Sequence, residues 1–499
     1  MVVDFSLLLV LIVGTFSQTL STNPGLKARI TQTGLDYATK VALDSLSSKV
    51  VGLRIPDQHG KSGDVSYDVT NSRITGFQRP QSSITMNPPS GLRWTASGTV
   101  IALKGDWHYT LKKWFIRISD HGSFDVTVKG LSFDLGIKLG ADKDGRPDIS
   151  SSGCSCDIGS VDVKIHGKLD VIYNLFKGVI GKKIKDLLKD KMCDLIKDAI
   201  NKDAENALQK IKVKTTIAKL FMLDYRMTSS PKFTPQYMET YHKGEVLWAS
   251  SMTDAPIPVP PMPDNVGSQK MLYLFVSDYL FNSLSYQSQI HGVLRYNLTT
   301  KDLPPSNKGV LNTTCLSGVC IGELIPQIAS KYPNKQVELR MMSTQTPMMT
   351  SLKNEVGVFC MGTIGMYATV PNKPSIYLVN LNVSMNATVN LSIMNEKLYA
   401  KIDQLIFNIS AFNSAVGPIS DRALQFVTRN AIRIFVEPAL NKLGKNGFPL
   451  PTTGNVKFVN TELNLVRDTL IIATDVRYVS DTDTALKFVP RKRVYLEKT

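Results

Sequence analysis

Six cysteines, six histidines and one segment of interleaved cations and aromatics are the residues of this 499-residue chain best suited by type to do chemistry. The segment runs Lys104-Gly-Asp-Trp107-His-Tyr109-Thr-Leu-Lys112-Lys113-Trp114-Phe-Ile-Arg117. Such a mixture suits the boundary between anionic headgroups and acyl chains, where a cation meets phosphate and an aromatic body is buried. The plainer alternative is a solvated hairpin. The cysteines fall three to each half: Cys154, Cys156 and Cys193, then Cys315, Cys320 and Cys360. Six of them suit an oxidising compartment. Each half can close one internal bridge and leave one thiol, unless the halves are cross-linked. Proximity and the intervening Ser-Gly favour Cys315 with Cys320. A zinc set of Cys154, Cys156 and His166 matches no usual ligand spacing, so no metal is expected.

Catalytic constellations are absent from the sequence. There is no Gly-X-Ser-X-Gly, no His-Glu-X-X-His, no phosphate-binding Walker loop and no Gly-X-Gly-X-X-Gly. His59, His108, His121, His166, His242 and His291 are scattered, without sequence-local partners. Asp142-Lys-Asp-Gly-Arg-Pro-Asp148 resembles a calcium loop only superficially. Its glycine is fourth rather than sixth, and Gly153 stands where the bidentate Glu belongs. It reads as a turn, and the chain reads as a binding protein rather than an enzyme, with no catalytic residue and no cofactor.

The formal charge of +16 and the pI near 9.4 favour anionic partners: nucleic acid, acidic lipid or a bacterial surface. The N-terminus narrows the choice. Phe5 to Phe16 is an apolar run followed by small residues at Ser17 and Ser21, so residues 1–21 read as a secretory signal, although Asp4 stands where a basic residue is usual. The run is shorter than the roughly 20 residues needed to span a bilayer. Asn-X-Ser/Thr acceptors at Asn297, Asn312, Asn382, Asn386, Asn390 and Asn408 agree with export. From Val379 to Ile393 the chain alternates strictly, with Asn382, Asn386 and Asn390 on the polar face. Nucleic acid is therefore set aside in favour of lipid or a cell surface.

These residues must be positioned by two similar halves. Ala255-Pro-Ile-Pro-Val-Pro-Pro-Met-Pro-Asp264 is too proline-rich for helix or central strand and reads as a stiff strut between them. Before it, Pro24 to Lys49 reads as an amphipathic helix and residues 64–139 as a long one-sided antiparallel sheet. A long helix follows, with Ile172, Leu175, Ile184, Leu188, Met192, Ile196 and Ile200 on one stripe and Lys182, Lys183 and Lys185 largely off it. After the strut the plan repeats loosely: a short helix at 322–332, strands over 356–409, a helix from Ser420 to Leu443, and strands again over 456–479. The fold class is α+β.

The sequence also resembles a known family. Asn23-Pro-Gly-Leu-Lys-Ala-Arg-Ile-Thr-Gln-Thr-Gly-Leu-Asp-Tyr-Ala38, Arg54-Ile-Pro-Asp57, Cys154-Ser-Cys156 with Cys193, Val276-Ser-Asp-Tyr-Leu-Phe-Asn282 and Gly447-Phe-Pro-Leu-Pro451 occur in one order across residues 22 to 479. Together they resemble the bactericidal/permeability-increasing and lipopolysaccharide-binding protein family, whose superfamily includes plasma phospholipid- and cholesteryl ester-transfer members. The resemblance implies two elongated antiparallel barrels wrapped around long helices and joined by a central sheet. On this sequence it implies a signal at 1–21, an N-terminal lipid-binding barrel at 22–218, a central sheet and Pro-rich linker at 219–268, a C-terminal barrel at 269–479 and a basic tail at 480–499. It implies a Cys156–Cys193 bridge with Cys154 free, and phospholipid in an apolar pocket of each barrel. It further implies a secreted innate-immune, antibacterial protein. Such a protein would bind lipid A of lipopolysaccharide at the outer membrane surface of Gram-negative bacteria. The matching cations are Arg54, Lys104, Lys112, Lys113 and Arg117. Where bactericidal members place lysines, this chain has Gly52, Asp106 and His108, and its hairpin is longer. An extracellular phospholipid carrier is the alternative.

Overall fold

The computed structural model describes residues 23–479 except 90, 168–172, 218, 265–266, 268, 317, 422–423, 426–440, 442–443, 446 and 451–455. The expected signal, the basic tail and most of the helix expected over Ser420–Leu443 lie outside the described residues.

The first element is a strand, β1 (Leu26–Thr31), followed by helix α1 (Gln32–Val50). The sequence had suggested helix from Pro24 onward. Tertiary pairing overrides that local preference, because β1 is bonded along both edges, as described below. Thr31 then caps the helix, its hydroxyl accepting from the Gly34 amide at 3.4 Å. Seven strands follow: β2 (Gln58–Ser62), β3 (Val65–Gln78), β4 (Gln81–Asn87), β5 (Gly91–Lys113), β6 (Ile116–Ala141), β7 (Pro147–Asp157) and β8 (Ser160–His166). They form one antiparallel sheet in the order β2-β3-β5-β6-β7, with β4 on β5 and β8 on β6. Its inner face buries Ile101, Leu103, Trp107 and Tyr109 from β5 and Phe124, Val126 and Val128 from β6. Helix α2 (Tyr173–Asp198) lays Ile184, Leu188, Met192 and Ile196 against that face, one stripe at helical spacing. A π-turn at Ala199–Ala204 leads to α3 (Glu205–Gln209). The Asp142 turn uses its own carboxylate, whose Oδ1 accepts the amides of Asp144 and Arg146 at 2.8 Å each.

Next come β9 (Lys214–Ile217), β10 (Phe221–Asp224), β11 (Lys232–Phe233), β12 (Tyr237–His242), β13 (Glu245–Trp248), β14 (Leu272–Ser277) and helix α4 (Asp278–Ile290). The second large sheet is β15 (Arg295–Leu298), β16 (Gln336–Ser343), β17 (Met348–Leu352), β18 (Glu355–Thr369), β19 (Ile376–Met394), β20 (Lys397–Ser414) and β21 (Phe448–Pro449). The short helix expected at 322–332 is two turns of helix, Ile321–Leu324 and Pro326–Lys331. The last strands are β22 (Val456–Val466) and β23 (Thr469–Tyr478). Each large sheet stays open among the described residues, with β2 and β7 at the edges of the first and β15 and β21 at those of the second. Asn297, Asn382, Asn386, Asn390 and Asn408 are exposed, and Asn312 is half-buried.

The halves meet in a six-stranded sheet, β11-β12-β1-β14-β23-β22. Its strands come from four places in the chain, of which 219–268 supplies only β11 and β12. Strand β1 pairs with β12 on one edge and with β14 on the other. Lys27 and Arg29 on β1 are both 2% exposed. Glu239 of β12 receives Arg29 Nε at 2.8 Å and lies 3.4 Å from Lys27 Nζ. The proline strut supplies further acceptors: the Pro263 carbonyl and the Asp264 carboxylate to Lys27 at 3.2 Å each, and the Asp264 carbonyl to Arg29 at 2.8 Å. Phe275 lies beneath Lys27 and Tyr237 beneath Arg29.

The motif Val276–Asn282 docks the second sheet onto this one. Ser277 caps α4 by accepting from the Tyr279 amide. Asp278 accepts the Ser351 amide and hydroxyl at 2.5 Å each, and Asn282 exchanges two hydrogen bonds with the Met349 backbone. Burial pushes the Asp278 carboxyl up from its ordinary value, against the lowering effect of those Ser351 bonds.

The first-half disulfide is Cys154–Cys193, not the Cys156–Cys193 bridge implied by the family resemblance. Residues two apart on a strand share a face, so both β7 cysteines point toward Cys193. Cys156 Sγ lies 3.0 Å from Cys193 Sγ, but its side chain is sunk in the core at 2% exposure while Cys154 stands at the half-buried rim. Burial pushes the Cys156 thiol up to about 11. The second-half bridge is Cys315–Cys320, the pairing that proximity favours.

Two outcomes are expected. Glu239→Gln removes the carboxylate that two buried cations share, leaving Lys27 only the exposed Asp264 carboxylate, and should destabilise the protein by about 3–5 kcal/mol, read by urea denaturation; a loss below about 1 kcal/mol would show the network to be dispensable. Alkylation of Cys156 in the native protein should stay slow from pH 7 to 9 and accelerate only toward pH 11, because the thiolate is the reactive form. Non-reducing peptide maps of that material should return 154–193.

Candidate functional site

The β5–β6 hairpin is built from strands of 23 and 26 residues and runs to the end of the first sheet farthest from the β1 contact. Its alternation decides what faces water. Leu103, Gly105, Trp107 and Tyr109 point inward, and Lys104, Asp106, His108 and Lys112 point outward. Gly122 is required opposite Trp107: a Cβ there would lie 2.8 Å from the indole and collide with the His166 carbonyl. Trp107 and Tyr109, expected among the membrane-facing aromatics, are instead stacked 5.8 Å apart in the core. Burial, with Asp120 nearby, pushes the Tyr109 phenol up.

The five expected cations separate into two groups. Arg54 and Lys104 line a surface basin of about 760 Å³ between Pro56, Asn71, Arg73, Asp106 and Asp125. Lys112, Lys113 and Arg117 stand at the hairpin apex, eight residues farther along β5, or roughly 26 Å at strand rise. In the basin, cross-strand neighbours form a row: Arg54 opposite Arg73, Arg73 opposite Lys104, Lys104 opposite Asp125, and Asp125 opposite Lys164. Arg73 and Lys164 were not identified from sequence. Their signal was the alternation itself, obscured for Arg73 by an irregularity of register between Thr70 and Arg73.

The acids of the basin are already engaged. Asp57 accepts the Asn71 amide at 3.0 Å, and Asp106 accepts Asn71 Nδ2 at 2.9 Å. Asp125 takes His166 Nε2 at 2.9 Å and Lys104 Nζ at 3.6 Å. The His166 hydrogen bond, followed by Lys104, holds the Asp125 carboxyl below its usual range. Among the described residues Arg54 and Arg73 have no acidic partner, and neither do Lys112, Lys113 and Arg117. Like charges directly opposite on a sheet are destabilising, and both the Arg54–Arg73–Lys104 row and the Lys112–Arg117 pair have that arrangement. Arg54, Arg73, Lys112, Lys113 and Arg117 are therefore available to an anion such as phosphate, which an arginine can bind bidentately.

Four of the six histidines scattered in the sequence, His59, His108, His121 and His166, gather on the same outer face. His59 and His108 flank Asp68 at 2.5 and 3.2 Å, and His121 stands opposite His108. The His59 hydrogen bond, then that of His108, holds the Asp68 carboxyl low. Cys154, Cys156 and Cys193 lie together elsewhere, and His166 is not with them.

Residues 34–209 match the family described as LBP / BPI / CETP family, N-terminal domain, and residues 215–478 match its C-terminal domain. The chain belongs to the LBP/BPI/CETP family. It is 30% identical over 479 residues to a protein of Sebastes schlegelii named bactericidal permeability-increasing protein, covering 94% of this chain and 98% of that one. It is 28% identical over 479 residues to the human lipopolysaccharide-binding protein, covering 95% and 98%. Its fold superposes on a crystal structure of lipopolysaccharide binding protein with a TM-score of 0.61 and 27% identity, over 92% of this chain and 100% of that one. The shared fold is α+β, with each half of the family pattern built on one of the two large sheets.

If the basin row serves a ligand rather than the fold, Arg73→Thr should leave stability unchanged or raise it by up to about 1 kcal/mol. Urea denaturation reads this directly, and a clear loss would make Arg73 a structural residue.

Proposed function

We propose that this protein is an extracellular innate-defence protein. It captures lipopolysaccharide through the phosphates of lipid A and acts against Gram-negative bacteria at their outer membrane surface. The observation that carries this reading is the like-charged opposition of cations on the outer face of the first sheet, of which Arg54, Arg73, Lys112, Lys113 and Arg117 have no acidic partner among the described residues. The names of the relatives, one bactericidal and one lipopolysaccharide-binding, support it. Disulfides in both halves and exposed glycosylation acceptors support an extracellular setting. Recognition here is electrostatic and needs no bond-making step. Each exposed contact contributes under about 1 kcal/mol, so affinity depends on several acting together and falls with salt.

A second component of the reading is phospholipid held inside the protein. The apolar face of β19 is only half-buried at Val383, Met385, Val389, Leu391 and Ile393, and that surface supports an acyl-chain contact. Extraction of the protein from a eukaryotic host should return two-chain lipid by mass spectrometry. Folded, lipid-free protein would remove this component without touching the first.

The main test reverses charge in three places: Lys112, Lys113 and Arg117 at the apex, Arg54 and Lys104 in the basin, and Lys182, Lys183 and Lys185 on α2 as control. Affinity for lipopolysaccharide is measured at low and high salt. The apex and basin variants should each lose roughly 1–3 kcal/mol of binding and much of its salt dependence. If the α2 control loses as much, net charge rather than a site is responsible.

A further inference from the structure

The outer face of the second sheet carries a partly apolar groove with a glycosylation acceptor inside it. Two neighbouring rows of cross-strand partners form the groove. In the first, Met348 stands opposite Phe359, Phe359 opposite Asn386, and Asn386 opposite Ile406. In the second, Thr350 stands opposite Gly357, Gly357 opposite Thr388, and Thr388 opposite Gln404. Together they bound about 260 Å³. Met348 is 37%, Phe359 38% and Ile406 52% exposed. Gly357 keeps the groove open: a Cβ there would meet nothing nearer than the Thr350 carbonyl oxygen at 3.8 Å. Asn386 and Thr388 are the acceptor and the hydroxyl of one Asn-X-Thr signal, and both line the groove. Strand formation does not explain the pattern. Asn is depleted in strands, yet here it stands mid-strand between two strong strand formers, where an apolar residue would pair with both.

We propose that this groove is the seat of an N-linked glycan on Asn386, whose first sugars lie across Phe359 and Ile406 and cover them. A pyranose ring has C–H faces and a hydroxyl edge, and the groove matches both. The first row offers apolar surface to the ring faces, and Thr350, Thr388 and Gln404 of the second offer donors and acceptors to the hydroxyls. In the attachment step, Asn386 Nδ2 displaces the lipid diphosphate from a lipid-diphosphate-linked oligosaccharide. A C–N bond forms at the anomeric carbon, the C–O bond to phosphate breaks, and the amide proton leaves with the diphosphate. Attachment then supplies the occupancy. A tethered sugar acts at an effective concentration on the order of millimolar, so contacts too weak to hold a free sugar suffice. The other acceptors on this face have polar neighbours: Asn382 stands between Thr363 and Ser410, Asn390 beside Lys401, and Asn408 beside Ser384. Their glycans extend into water. The inference is independent of the lipid A reading, which concerns the first sheet. It assigns the outer face of the second sheet to a carbohydrate cover.

The test follows glycan release site by site. The full-length protein is secreted from a eukaryotic host and treated, still native, with a peptide-N-glycosidase in heavy-oxygen water. Release turns Asn into labelled Asp, so mass spectrometry reads the rate at each acceptor. Asn386 should be occupied. Phe359→Thr combined with Ile406→Thr keeps strand-forming residues on an exposed face, so that variant should fold with little change in Tm and carry the same glycan. In it, release at Asn386 should be roughly tenfold faster than in the wild type, with the rates at the other acceptors unchanged. An unoccupied Asn386 overturns the proposal, and so does an equal rate at Asn386 in wild type and double variant. A second measurement separates the protein's own glycan from a free ligand. N,N′-diacetylchitobiose is titrated into Asn386→Gln protein, where no binding is expected below about 1 mM. Micromolar binding would make the groove a receptor for free carbohydrate and would overturn its assignment to the tethered chain.

Discussion

Strand β1 is the constraint on which the two-part structure rests. Six residues near the start of the chain are bonded on one edge to β12, which belongs with the first half, and on the other to β14, which leads into the second. That position places Lys27 and Arg29 in the interior. Their solvation must be replaced, and Glu239, the Asp264 carboxylate and the carbonyls of Pro263 and Asp264 replace it. The proline strut is thereby explained. Lacking amides where its prolines stand, it cannot join a sheet, but its carbonyls remain available as acceptors for buried cations. A flexible linker would hold those carbonyls less firmly. A buried ion pair is weak evidence for net stability, yet it penalises any docking of the halves in which the cations lose their partners. Register is what the network specifies.

From that anchored sheet the first half extends as long paired strands, and period-2 alternation carries the functional pattern outward. The same alternation that buries Leu103, Trp107 and Tyr109 displays Lys104, His108 and Lys112. A one-residue slip would exchange the two sets, so burial of the core face fixes which cations are presented. Between basin and apex lies the Asp68 and His59/His108 cluster, whose carboxylate offsets cationic charge in the middle of the face, with the unpaired cations lying to either side.

Much of this was legible in the sequence, and the failures have physical causes. Alternation gave the long sheets, and the apolar stripe gave α2. Helix periodicity from Leu35 onward was real, but it was extended backward over Leu26–Thr31, where alternation of Lys27 and Arg29 with Ala28 and Ile30 matches a strand equally well. Only a partner strand on each side decides between them. The cysteine pairing was misread because Cys154 and Cys156 share a face, and which sulfur reaches Cys193 depends on how the helix passes the strand rather than on spacing. The family motif Val276–Asn282 was visible, but its role was not. Asp278 and Asn282 act by holding β17, some 70 residues away. The basin row was invisible because cross-strand neighbours such as Arg54 and Arg73 become adjacent only once register is known.

The two cation groups have different physical surroundings, and this bears on how they divide a shared ligand. The basin is recessed and polar, with its acids engaged by Asn71, Lys104 and His166, so it can receive a phosphate without displacing apolar groups. The apex is proud of the fold and carries uncovered aromatic surface, so its cations are held near apolar groups that water solvates poorly. A free, fully hydrated anion gains little from the apex, because the aromatics remain in water. An anion that is a lipid headgroup allows cation contact and aromatic burial together, and the two are additive only at a surface. Roughly 26 Å of strand between the groups is also wider than a single phosphate can bridge. Under the proposed lipid A reading, the arrangement would suit an extended anionic surface, in which one region of lipid takes the apex and neighbouring phosphates reach the basin. On that reading both groups would act at once only where phosphates are presented side by side, so their spacing would add to any selectivity for a surface over a soluble anion.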